Sequence, residues 1–214
     1  MSVHGPSRAT AMTYLTTGAR AAITATTAAG NPIAPQPGFI GSDYRGVVFC
    51  ALNPGEPKGG SQEEEYYDLY RDLGQESDRV QARRIFEAAS QQFIRHMTEF
   101  NDGRRPWPMY ERFIRKVLTG SGLQLKHVAY INVVPFPTLK DSQGLSDRLI
   151  REAVDRHTRT LIQDLEPKCV IFRYKKAFES LATEAHPARV FSVNGIAASN
   201  REIDEAITLV SALA

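Results

Sequence analysis

The sequence predicts an α/β fold with three layers, α/β/α, around a central, mostly parallel four-stranded sheet. Three observations carry this. Four short runs are apolar throughout rather than alternating, which is how strands covered on both faces read. Helical patterns fill the gaps between them, so strand and helix alternate as in a doubly wound protein. The chain has 214 residues, of which 42% are hydrophobic. That is enough for one substantial core, and one domain is the simplest count.

The elements follow in order. Residues 1–45 read as a weakly structured N-terminal extension, rich in Ala, Thr, Gly and Pro, ahead of a single domain over 46–214. A weak helix is expected over 13–29. The stretch 31–38 carries three prolines, which break a helical ladder, so it runs extended towards the first strand. Strands are expected at 46–52, at 127–132 with Val133 and Val134, at 168–172 and at 188–193. Helices are expected at 64–73, 78–100 and 109–118 in the first gap, 145–165 in the second and 175–184 in the third. A last helix at 201–213 closes the chain, with Asn200 as its N-cap.

Bulk properties remove several function classes. Net charge is +2 and the isoelectric point about 8.5, too mild a bias to argue for nucleic acid by itself. The two cysteines, Cys50 and Cys169, each sit in an apolar run and read as buried thiols. A disulfide framework is not expected, and a four-cysteine metal or cluster site is excluded. This usage fits an intracellular setting, cytoplasmic or nucleoid-associated. No apolar run is long enough to span a bilayer, so no membrane partner is expected. The absence of Asp and Glu before Asp43, with Arg8 and Arg20 present, resembles a transit peptide faintly. A flexible extension is the simpler reading.

In such a sheet, ligands bind outside the carboxyl ends of the strands. The first strand is followed by Asn53-Pro-Gly-Glu-Pro-Lys-Gly-Gly60, and the second ends in Asn132-Val-Val-Pro-Phe-Pro137. The third is followed by Arg173-Tyr-Lys-Lys176, and the fourth by Asn194-Gly-Ile-Ala-Ala-Ser-Asn200. Any one of these asparagines alone reads equally as a turn residue or a cap. Three at one rim suggest a site. An amide carries a donor and an acceptor on one plane, which suits the edge of a heterocycle such as a pyrimidine imide. An amide does not titrate, so the chemistry it supports is recognition, water placement and charge stabilisation.

These segments resemble motifs of the uracil-DNA glycosylase superfamily. Ala51-Leu-Asn-Pro-Gly55 is similar to the Gly-Ile-Asn-Pro-Gly motif of its mismatch-specific uracil/thymine branch. Tyr130-Ile-Asn-Val-Val134 resembles the strand whose Asn pairs with uracil in the main branch. Asn194-Gly-Ile-Ala-Ala-Ser199 is similar to the motif reading Asn-Pro-Ser-Gly-Leu-Ser in the first branch and His-Pro-Ser-Pro-Leu-Ser in the second. Order and spacing agree from Gly46 onward. The resemblance implies that Asn53 and Asn194 are catalytic, Asn53 orienting the water that attacks the deoxyribose anomeric carbon and Asn194 facing the leaving base's carbonyl. It implies that Asn132 hydrogen-bonds the flipped base, with Leu52, Pro54 and Gly55 also on the substrate side. Tyr66 or Tyr67 sits where the superfamily stacks an aromatic on the base, although a tyrosine packing a helix reads as well. Gly195, Ile196 and Ser199 would touch DNA, with Ile196 as the wedge.

The sequence also departs from the pattern. Gly55 stands where the main branch has a methyl-excluding tyrosine, which predicts a roomier pocket. The main branch's catalytic Asp and its last-motif His are absent, and Asn194 is a neutral donor. Arg173-Tyr-Lys-Lys176 replaces a glycine-containing turn. Glu56 reads either as a general base or as a solvated carboxylate at a helix start.

The stretch 104–116 mixes basic residues with Trp107, Tyr110 and Phe113. Tyr110, Phe113 and Val117 have core spacing, so Arg104 and Arg105 are the better DNA contacts. Lys58, Lys175 and Lys176 complete the expected DNA-binding set. The run 63–68 is acidic and reads as a solvated face. The five histidines show no metal-ligand spacing, and His186 reads as a surface turn. Gly59-Gly60 lacks the Lys-Ser/Thr of a phosphate loop. No metal and no cofactor are expected. The implied function is a monomeric, monofunctional hydrolase of base excision repair, a DNA glycosylase acting on DNA that contains uracil or a related deaminated or damaged base. One alternative is a catalytically weak or inactive glycosylase-fold module that binds damaged DNA or a free base. Another is an unrelated α/β hydrolase or transferase acting on a small metabolite.

Overall fold

The computed structural model describes residues 36–52, 68–72, 79–98, 109–135, 145–173, 178–179, 189–193 and 198–213. At its centre is strand β2 (Val47–Ala51), buried along its whole length. It pairs in parallel with β3 (Val128–Asn132), from Val47 opposite Val128 to Ala51 opposite Asn132. On its other side it pairs in parallel with β4 (Cys169–Phe172), from Val47 opposite Cys169 to Cys50 opposite Phe172. Beyond β4 lies β5 (Arg189–Ser192), again parallel. These are the four expected strands, within a residue or two of their expected bounds.

The sheet has five strands, not four, and it is mixed. Gly38–Ile40, within the expected extension, forms β1, an edge strand antiparallel to β3 in the order β1-β3-β2-β4-β5. Its three residues follow a proline-rich stretch, and the first is a glycine, so the letters read as a turn. The glycine is there because the strands approach too closely for a side chain. Gly38 has φ +121°, and a Cβ on it would lie 1.8 Å from the Tyr130 carbonyl oxygen. The outward groups of β1 are met by helix side chains. The Tyr70 hydroxyl donates to the Gly38 carbonyl at 2.6 Å, and the Ser90 hydroxyl accepts from the Ile40 N–H at 3.2 Å. A sheet edge bonded in this way offers little to a second strand.

Alternation along β2 divides the core in two. Val48 and Cys50, with Ala129, Ile131, Val170 and Phe172, face one layer, and Val47, Phe49 and Ala51, with Val128, Tyr130, Cys169 and Ile171, face the other. The two cysteines therefore lie buried on opposite faces and cannot pair with each other. Burial pushes the Cys50 thiol far above its ordinary pKa.

The first face is covered by one long helical stretch: α3 (Asp147–Ala153), a π-helical turn (Val154–Thr158) and α4 (Arg159–Leu165). Ile150, Val154, Leu161 and Leu165 point into that layer. The second face is covered by a π-helical turn (Tyr110–Ile114) running into α2 (Arg115–Ser121), and by α5 (Asn200–Ser211). Phe113, Ile114, Val117, Ile203, Ala206 and Val210 fill that layer, with Phe113 edge-on to Phe49. Each of these side chains except Ala206 contributes about 1.5–3 kcal/mol by leaving water. Helix α1 (Arg79–Thr98) and a helical turn at 68–72 close over β1 through Tyr70, Phe86 and Ala89. Among the described residues no helix is long and apolar enough to cross a membrane.

The start of α5 differs from expectation. Its N-cap is Ser199, not Asn200: the Ser199 Oγ accepts from the Glu202 N–H at 3.2 Å, and the Glu202 carboxylate accepts from the Ser199 N–H at 2.7 Å. The reciprocal Ser-x-x-Glu pair satisfies two otherwise unbonded amides, and Asn200 becomes the first residue of the helix proper.

Candidate functional site at the carboxyl edge of the sheet

Strands β2 to β5 run parallel, so their carboxyl ends share one edge. Among the described residues between β2 and β3, Phe93, Tyr110 and Phe113 pack on the second face. The first described residue after the β4 turn, Phe178, packs on the opposite face, its ring 6.0 Å from that of Phe172. Neighbouring strands whose connections part to opposite faces open a crevice between them. By that rule the boundary between β2 and β4 is where a ligand site is expected.

Most of the residues that sequence reasoning placed at this edge lie outside the described residues. Of the catalytic pair, Asn53 and Asn194 both do. So do Pro54, Gly55, Tyr66 and Tyr67, and the DNA-contact candidates Lys58, Arg104, Arg105, Lys175, Lys176, Gly195 and Ile196. Their strands nevertheless fix where the chain leaves the sheet. Asn53 follows two positions after Ala51, which is in register with Asn132 on the adjacent strand. Asn194 follows two positions after the end of β5, three strands away from β3. With about 4.8 Å between strands, the ends of β3 and β2 are about 5 Å apart and those of β3 and β5 about 14 Å.

Three of the expected site residues are described. Leu52 is buried, its side chain in the first-face core with Val133 and Val134. Ser199 is exposed, with its hydroxyl held in the cap of α5 and 2.8 Å from a Glu202 carboxylate oxygen.

Asn132 ends β3 and is 3% exposed. Its Nδ2 donates to the Gln36 carbonyl at 2.8 Å, and its Oδ1 accepts from the Tyr130 hydroxyl at 2.9 Å. Its own backbone N–H donates to the Pro37 carbonyl at 3.0 Å, and Gln36 returns a bond to the Pro135 carbonyl. The asparagine thus latches the chain entering β1 to the end of β3. An amide has two N–H groups and two lone pairs, so one of each remains beyond these bonds.

The segment after Asn132 is held by the adjacent strand and by the first face. Val133 and Val134 donate to the Ala51 and Leu52 carbonyls at 2.9 and 2.7 Å, continuing the pairing past the strand. From the first face, buried Thr158 donates to the Val133 carbonyl at 3.1 Å. Thr158 ends a π-helical turn, whose extra residue carries it there, and such turns recur at functional places. Arg173, the first residue after β4, is anchored by its N–H to the Cys50 carbonyl at 2.9 Å. Burial pushes the Tyr130 phenol far above its ordinary pKa, with the nearby Arg173 charge opposing. Tyr130 therefore stays protonated and serves as a donor.

Sequence reasoning missed Tyr130 and Gln36. A signal existed for the first: residues two apart on a strand share a face, so Tyr130 and Asn132 were bound to be neighbours. None existed for Gln36, which is 96 positions from its partner. The groups bonded around the Asn132 side chain, an amide, a phenol and a peptide carbonyl, are neutral, and they suit hydrogen-bond recognition more than proton transfer. Among the described residues no cluster of three or more His, Cys, Asp or Glu forms a metal-binding group. Compared with known proteins, the chain matches no protein-family model and no curated protein.

Proposed function

We propose that this chain is a DNA glycosylase of the uracil-DNA glycosylase kind, hydrolysing the N-glycosidic bond of uracil or a related deaminated base. One observation carries the reading: Asn132 stands at the carboxyl end of β3, in register with Ala51, two positions before Asn53 in the chain. Two of the three motifs on which the resemblance rests therefore issue from neighbouring parallel strands, β2 and β3. The base is turned out of the duplex into the crevice, and Asn132 offers its remaining N–H and lone pair to the base edge. Asn53 holds a water against the anomeric carbon. As the bond from that carbon to the base nitrogen breaks, its electron pair leaves with the base. The water oxygen bonds to the carbon, and the proton it sheds balances the departing base. The products are an abasic deoxyribose and the free base.

The test is an abasic-site assay on duplexes carrying uracil, hypoxanthine or a thymine mismatch. Release from at least one is expected, and Asn53→Ala should lose most of the rate. No release from any duplex removes the assignment.

A second reading is favoured by a specific observation. The Asn132 amide already spends one donor and one acceptor inside the protein, which suits a glycosylase-fold module that binds damaged DNA or a free base without cleaving it. Salt-dependent binding to uracil-DNA without an abasic product would single out that reading.

A further inference from the structure

We infer that Tyr130 is a positioning residue that steadies the Asn132 side chain in the orientation the Gln36 carbonyl selects; the inference rests on the glycosylase reading and adds a residue to it. A side-chain amide is nearly symmetric in shape, so flipping it exchanges a donor face for an acceptor face. Left to itself, an asparagine at a recognition edge presents both. Here the flip is decided by chemistry. A peptide carbonyl only accepts, so the Asn132 atom 2.8 Å from the Gln36 carbonyl is the NH2 group. The oxygen then faces the Tyr130 hydroxyl at 2.9 Å. The phenol, kept protonated by burial and stacked at 6.0 Å on Phe39, donates to it. A hydroxyl can accept as well as donate, so the carbonyl selects the orientation and the hydroxyl, donating to the oxygen, adds a second bond that holds it.

A base reader needs this property. Exchange of the two ends of the amide would invert the hydrogen-bonding pattern offered to a heterocycle and accept the wrong edge. Phe39, on β1, supports one side of the Tyr130 ring, and Gly38, next to it, allows β1 close enough for the Gln36 carbonyl to reach. The edge strand that the letters hid therefore helps to orient the amide.

The test uses the full chain and a uracil-containing duplex, with wild type, Tyr130→Phe, Asn132→Ala and the double variant. Tyr130→Phe keeps the ring and removes only the hydroxyl. Its kcat/KM is expected to fall about tenfold, the effect of one hydrogen bond lost from a buried pair. In the Asn132→Ala background the same change should have no further effect, because nothing is left to orient. A purely structural role for the hydroxyl would lower both backgrounds alike, and that result overturns the inference. So does an unchanged kcat/KM in Tyr130→Phe. A wild-type protein that releases no base defeats the glycosylase reading instead, and nuclear magnetic resonance then judges the orientation by itself. The two Asn132 side-chain amide protons should give a sharp, distinct pair in wild type and collapse or shift strongly in Tyr130→Phe. An unaltered pair overturns it.

Discussion

A buried polar side chain stands just before strand β3 and another ends it, and the two are held in opposite ways. At the amino end His127, 6% exposed, accepts the Gln124 N–H on Nδ1 at 3.0 Å and places Nε2 3.3 Å from an Asp43 carboxylate oxygen. Its nitrogens are both used, its partners lie on exposed turns, and Asp43 is held in turn by Arg45 at 2.8 Å. At the carboxyl end Asn132 binds a phenol and a carbonyl, both neutral, and keeps hydrogen-bonding capacity to spare. The amino end is a closed, charge-coupled clasp that concerns stability alone. The carboxyl end is a neutral, oriented amide at the end of β3. Both residues are hidden from water and both hold the fold; under the proposed function only the carboxyl end also meets a ligand.

The sharpest way to break the comparison is at Gly38. Gly38→Ala puts a methyl group 1.8 Å from the Tyr130 carbonyl oxygen at a φ of +121°, so β1 must move. A loss of about 2–4 kcal/mol in urea unfolding is expected, from the left-handed backbone and the displaced strand together. With it the Asn132 latch should open, while the His127 clasp persists.

Asn132→Ala acts on the carboxyl end alone. It leaves the Tyr130 hydroxyl and the Gln36 carbonyl without their partner, which costs about 1–3 kcal/mol. It should also remove base discrimination. A stability loss with unaltered discrimination would make the asparagine a latch only.

Ser199→Ala separates capping from DNA contact. Loss of the cap should cost about 1 kcal/mol. The salt slope of binding to a uracil duplex should not change, because the hydroxyl is committed to Glu202. A slope reduced by about one unit would place a phosphate on Ser199.

The smallest effect belongs to the amino end. Desolvation lowers the His127 pKa, Arg45 adds to the lowering and Asp43 opposes it. The Nδ1 acceptor role gives the same direction, since a protonated ring cannot accept the Gln124 N–H. The unfolded chain takes up this proton more readily than the folded one. Stability is therefore full above about pH 6.5, the ordinary histidine value, and declines as pH falls below it. Unfolding curves at pH 7.5 and 5.5 should diverge in wild type and diverge less in His127→Phe.

The four parallel strands were legible because a strand covered on both faces must be apolar at every position, as 47–51 and 169–172 are. The edge strand was not, because three residues beginning with glycine carry no period, and its bonds come from Tyr70 and Ser90, distant in sequence. The two π-helical turns were also hidden: one extra residue in a turn hardly disturbs an amphipathic pattern. Asn132 was legible by position, as the last residue of an apolar run at the carboxyl edge. Its orientation was not, because the Gln36 carbonyl that decides it is supplied by folding. Ser199 stood in a plain Ser-x-x-Glu pattern, yet the likeness of its loop to a DNA-contacting motif drew attention away from the cap.

The proposed function requires that recognition sit at the carboxyl edge and not at the amino edge. Abasic product formed from a uracil duplex by Asn132→Ala and His127→Ala proteins, each normalised to folded molecules, tests it most directly. We expect Asn132→Ala to fall at least tenfold below wild type and His127→Ala to match it. Equal losses in both, or a loss confined to His127→Ala, would contradict the account.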